Sequence, residues 1–125
     1  MEVNLLSQPG NWECRISLRF LYNESGAEVS QVLTVPFGSP LTSVGDVELA
    51  LRRAQAAILN HPRQPSDLFL TKSREELEYY RSAEAFNGGT LKFSKNVVVV
   101  DIFDPDCCNL SFVDLPGTYL ASFYW

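Results

Sequence analysis

Cysteine, histidine and positive charge are all scarce in this 125-residue chain, and each shortage excludes a class of protein. The three cysteines, Cys14, Cys107 and Cys108, are odd in number, two are adjacent, and no C-x-x-C spacing occurs. That pattern excludes a disulfide framework or a cysteine-based zinc site and implies reduced thiols. Ten Lys and Arg stand against fifteen Asp and Glu, a formal net charge of −5, and Arg52–Arg53 is the single adjacent basic pair. Neither nucleic acid nor an anionic membrane surface is therefore expected as a partner. No apolar run approaches the roughly 20 residues that span a bilayer. The opening MEVNLLSQPG has no basic region and too short an apolar stretch for a secretory signal, so a cytoplasmic location is expected.

What is present fits one small globular domain, with 46% apolar and 20% charged residues. A chain of this length buries roughly two thirds of its unfolded surface, enough for a core. The clearest periodicity lies in residues 12–22. Trp12, Cys14, Ile16, Leu18, Phe20 and Tyr22 alternate with Glu13, Arg15, Ser17 and Arg19, which predicts a strand with one buried face. The turn-rich NESGAEVS of residues 23–30, with Gly26 free to take positive φ, leads into a second strand over residues 31–37, ending at Pro36. These two strands form a hairpin.

Thr42 or Ser43 is placed to cap a helix over residues 44–60. Val47, Ala50, Leu51, Ala54, Ala57 and Ile58 form its apolar stripe, and Glu48 and Arg52 make an i,i+4 pair. A loop over residues 61–67 precedes a shorter helix, whose Ser73 and Glu76 have capping-box spacing and whose Leu77 and Tyr80 supply the apolar edge. Asn87, Gly88 and Gly89 break it. Residues 91–103 read as a long strand with a doubly buried VVVV centre, residues 104–109 (DPDCCN) as a turn, and residues 110–113 (LSFV) as a short strand.

One motif carries chemistry. Asp114-Leu115-Pro116-Gly117 follows the LSFV strand directly, which is the D-x-x-G pattern of GTP-binding switch loops. An Asp at a strand's carboxyl end can hold magnesium through water, and a Gly three residues on lets a backbone amide reach a γ-phosphate. The same tetrapeptide also makes an ordinary turn, in which Asp114 bonds its own backbone and Pro116-Gly117 reverses the chain. The longer run FSKNVVVVDIFDPDCCNLSFVDLPG, residues 93–117, resembles the dynamin family of large GTPases. The helix DVELALRRAQAAILN, residues 46–60, and the strand ECRISLRF, residues 13–20, are similar to the divergent dynamin-like GTPases of fungi. The resemblance covers about residues 13–117 and leaves residues 118–125, TYLASFYW, as an atypical tail. It implies a GTPase domain of the P-loop class using GTP and Mg2+. Asp114 would assist the metal through water, Gly117 would face the γ-phosphate, and Leu115 and Pro116 would shape the loop.

The chain departs from that family at the groups that do the chemistry. No G-x-x-x-x-G-K-[ST] occurs; none of Lys72, Lys92 and Lys95 follows a glycine, residues 1–12 hold no threonine, and no T-K-x-D follows Asp114. Phosphoryl transfer rests on positioning and charge stabilisation by those groups, so GTP hydrolysis by this chain alone is not expected. Of the remaining residues, His61 precedes Pro62 and reads as a loop residue, since no partner for a general-base role can be located. Asp101, Asp104, Asp106 and Asp114 make an acidic cluster in sequence but lack EF-hand spacing and its closing Glu, and the D-P-D stretch reads as a turn. Cys107-Cys108 lacks the spacing of a thiol-exchange site.

The fold expected is α/β: an incomplete P-loop NTPase three-layer sandwich with a mixed, largely antiparallel sheet and two helices. Its first parallel strand is expected to be missing, leaving an open sheet edge. Two functions follow: a partial dynamin-type GTPase domain inactive by itself, or a non-catalytic α+β module. The module would bind a protein, such as a dynamin relative or a second copy, through that edge and the aromatic tail of Tyr119, Phe123, Tyr124 and Trp125.

Overall fold

A computed structural model describes residues 1–81 and 94–113. They form a five-stranded mixed sheet with helices on one face. The strands are β1 (Glu2–Ser7), β2 (Glu13–Tyr22), β3 (Glu28–Pro36), β4 (Val97–Asp104) and β5 (Leu110–Val113), in the spatial order β3-β2-β4-β1-β5. The helices are α1 (Val47–Leu59) and α2 (Arg74–Arg81), with 3-10 turns at Val44–Asp46 and Ser66–Thr71.

The β2–β3 hairpin forms where alternation and turn chemistry predict it. Asn23 Oδ1 accepts from the backbone amides of Ser25 at 3.1 Å and Ala27 at 3.0 Å, closing an Asx-type turn, and Gly26 takes φ +86°. Along β2, Cys14, Ile16, Leu18 and Phe20 are buried while the residues between them are less so. In β4, Val98, Val99 and Val100 are all buried, so the valine run is covered on both sides. The reasons differ by face. Val98 and Val100 stand opposite Leu18 and Ile16 and join the apolar core under α1. Val99 stands between Ser17 and Glu2 on the other face and is buried there too.

Helix α1 packs on β2 and β4 through Ala54, Ala57 and Ile58. Ala56 and Leu59 are buried as well, because the Ser66–Thr71 turn packs along the side of the helix and seats Phe69 with no exposure. Ser43 makes no side-chain cap, and the first turn of the predicted helix is 3-10. The capping box of α2 is formed in both directions: Glu76 N donates to Ser73 Oγ, and Ser73 N donates to Glu76 Oε1, each at 3.2 Å. Glu48 accepts from Arg52 at 3.2 Å and also from Arg74 at 3.1 Å, so one carboxylate ties α1 to α2.

Two expectations are corrected. A parallel strand is present near the N-terminus, although no phosphate-loop sequence follows it: β1 lies inside the sheet, parallel to β4 over six residue pairs from Glu2–Val99 to Ser7–Asp104. Among the described residues the sheet edges are β3 and β5, and α1 lies on one sheet face while a polar ladder lies on the other. Residues 61–67 are not wholly loop, because 3-10 structure begins at Ser66. The sheet is largely antiparallel, as expected, with β1–β4 its one parallel pairing among the described residues.

Candidate functional site

Strand β5 ends at Val113, so the switch-motif residues Asp114, Leu115, Pro116 and Gly117 lie outside the described residues, as does the aromatic tail. The Asn87-Gly88-Gly89 break and the first residues of the predicted 91–103 strand lie outside them too. The structure does fix where the chain leaves the sheet. Val113 pairs antiparallel with Glu2, the first residue of β1. The parallel strands β1 and β4 have their carboxyl ends at the opposite side, where Ser7 pairs with Asp104. Five residue steps of strand separate Glu2 from Ser7, roughly 17 Å. Open α/β sheets bind ligands outside the carboxyl ends of their parallel strands. Strand β5 delivers the chain to the other end.

At the end where β5 finishes, the charged side chains described are Glu2 and Arg19, paired with each other. The Glu2 carboxylate accepts from Arg19 Nη1 at 3.0 Å, from Arg19 Nη2 at 3.3 Å and from Asn4 Nδ2 at 3.2 Å. The Arg19 guanidinium, followed by Asn4, holds its carboxyl below the usual carboxylate range. Asn4 Nδ2 also donates to Asp101 Oδ1 at 2.8 Å, extending a polar ladder across β2, β1 and β4. Arg15 continues the ladder, reaching Glu13 Oε2 at 2.8 Å and lying 5.1 Å from the Phe103 ring centroid. These side chains lie on the sheet face opposite α1.

At the opposite end the predicted turn is built from its own side chains. Asp106 N donates to Asp104 Oδ1 at 2.9 Å, and Ser7 N donates to Asn109 Oδ1 at 2.7 Å, pinning the turn to the end of β1. No group of three or more metal-ligating side chains occurs among the described residues. All three thiols are free. Cys14 is fully buried, and that burial, with Asp101 nearby, pushes its pKa up to about 11; Cys108 is exposed.

A cleft of about 250 Å³, not legible from the sequence, opens where the β2–β3 turn meets the end of α1. His61, Arg63, Glu24, Tyr22, Lys95 and Asn96 line it. The His61 ring stacks on Phe20 with centroids 4.1 Å apart, and burial holds its pKa below the ordinary histidine value. Asn96 binds the irregular end of β2: its Oδ1 accepts from Leu21 N at 2.8 Å and Tyr22 N at 2.9 Å, and its Nδ2 donates to Tyr22 O at 3.3 Å. The cue was the β2 register shift between Phe20 and Tyr22, which no periodicity announces.

These features define a small α/β domain with a five-stranded mixed sheet. No protein-family profile, curated protein or solved structure matches the chain. No described helix is long and apolar enough to cross a membrane.

Proposed function

We propose that the chain is part of a dynamin-type GTPase domain, cytoplasmic, and unable to bind or hydrolyse GTP by itself. The observation that carries the family reading is the order of three segments: the strand at residues 13–20, the helix at residues 46–60, and the run at residues 93–117 that ends in D-L-P-G.

The inactivity reading is supported by what surrounds the motif. GTP and Mg2+ require cationic and amide donors around the β- and γ-phosphates. The residue paired with Val113 is Glu2, whose carboxylate is committed to Arg19 and Asn4 and stays negative. Arg19, the cation at that carboxylate, is already paired with it, and no G-x-x-x-x-G-K-[ST] occurs to supply donors. The residues present do not fit the nucleotide, and no catalytic step is assigned to Asp114 or Gly117.

A second reading, a non-catalytic module that binds a protein such as a dynamin relative or another copy, is favoured by β5. Its Leu110, Phe112 and Val113 are 46–60% exposed on an edge strand that carries no charge and no proline. The size of the native protein separates the readings. An immunoblot with an antibody against residues 46–60 is expected to show a band far above 14.0 kDa, as part of a larger GTPase. A band at 14.0 kDa would favour the free-standing module.

A further inference from the structure

The cleft between the β2–β3 turn and the end of α1 differs from the rest of this acidic chain. Three of its lining residues are basic types, His61, Arg63 and Lys95, against one carboxylate, Glu24. Two of its amide side chains are already spent on local bonds. Asn23 Oδ1 takes three donors from the turn, Asn96 holds Leu21 and Tyr22, and Ser94 Oγ accepts from Asn96 N at 3.0 Å. These bonds hold the wall in one shape.

Neither cation is well paired. Arg63 Nε reaches Glu24 Oε1 only at 3.9 Å, with both side chains more than half exposed, a pair worth little in water. Lys95 Nζ lies 5.3 Å from the Tyr22 ring centroid, and among the described residues no carboxylate pairs with it. Arg supplies a fork of donors suited to a tetrahedral oxyanion, Lys supplies a mobile point charge, and the His61 ring, fixed on Phe20, adds a further N–H. We propose that this cleft binds a soluble phosphate, free or as a monoester, between Arg63 and Lys95, with Glu24 as the competing internal anion. A volume of about 250 Å³ accommodates such a group and a small ester substituent. The proposal rests on Arg63 and Lys95 and does not depend on the GTPase reading.

Two-dimensional amide NMR of the full chain tests this, titrating sodium phosphate and, separately, glycerol 3-phosphate against sodium chloride at matched ionic strength. Saturable shifts at Arg63, Lys95 and Asn96 are expected with at least one of the two probes, absent with chloride. The pair of substitutions Arg63→Gln and Lys95→Gln should weaken binding by about tenfold. Glu24→Gln should strengthen it by removing the competitor, a gain that a damaged fold cannot mimic. The absence of saturable shifts with both probes overturns the proposal, and so does binding unchanged in the Arg63→Gln, Lys95→Gln protein or weakened by Glu24→Gln.

Discussion

Val113 lies opposite Glu2 at the start of β1, not opposite Ser7 at its end. Because β5 runs antiparallel to β1, it carries the chain away from the end where the parallel strands β1 and β4 both finish. That relationship ends β5 at the side of the sheet opposite to the one where open α/β sheets bind ligands.

Asn96 is expected to be the costliest polar substitution in the described residues. Asn96→Ala removes an acceptor for two successive amides and a donor to Tyr22 O, so a loss of about 2–3 kcal/mol is expected in urea denaturation. Asn96→Asp keeps the acceptor and should recover part of that loss. Equal loss in both variants would show that the two amide bonds contribute nothing.

In the core, Leu18 is fully buried between β4 and α1, and Leu18→Ala should cost about 2–5 kcal/mol. Leu110→Ala, on the exposed edge strand, should change stability by less than about 1 kcal/mol. Comparable losses in the two variants would place the core elsewhere.

His61 gives the stability a pH dependence of known sign. Its folded pKa lies below the ordinary 6.5, so the unfolded chain binds the extra proton first. The histidine contribution is therefore complete above pH 6.5 and declines as pH falls from there toward the folded value. Glu2, Glu48 and Glu76, with lowered pKa values, hold their contributions above the ordinary 4.5 and lose them only in stronger acid. Chemical denaturation of the wild type and of His61→Gln from pH 7 downward should show a shallower decline in the variant near pH 6. Identical slopes would remove His61 from this account.

The thiols should differ in reactivity by burial. Iodoacetamide at pH 8 should label Cys108 within minutes in the native protein and Cys14 only after denaturation. Native labelling of Cys14 at the rate of Cys108 would mean that the sheet opens under α1.

Much of the architecture was legible because single periodicities carry it. The alternation from Cys14 to Phe20, the helical stripe of Val47 to Ile58 and the Ser73–Glu76 box each appear in the structure for the reason the sequence implies. Strand β1 was missed although Val3 and Leu5 alternate with Glu2 and Asn4. Six residues are too few for a strong period, and its stability comes from β4 and β5, almost a hundred residues away in sequence. For the same reason the sequence did not reveal that β1 separates β4 from β5. Adjacency in sequence suggests a hairpin there, and only the ladder shows the intervening strand. The cleft at His61 was illegible because it depends on a β2 register shift and on Asn96, distant from Tyr22 in the chain.

The central claim is that this chain does not form a GTP site by itself, and calorimetric titration of the folded 125-residue protein with GTP and Mg2+ tests it most directly. No heat of saturable binding is expected at micromolar nucleotide. A micromolar dissociation constant, lost on Asp114→Ala, would contradict it and place the nucleotide at the D-L-P-G motif after all.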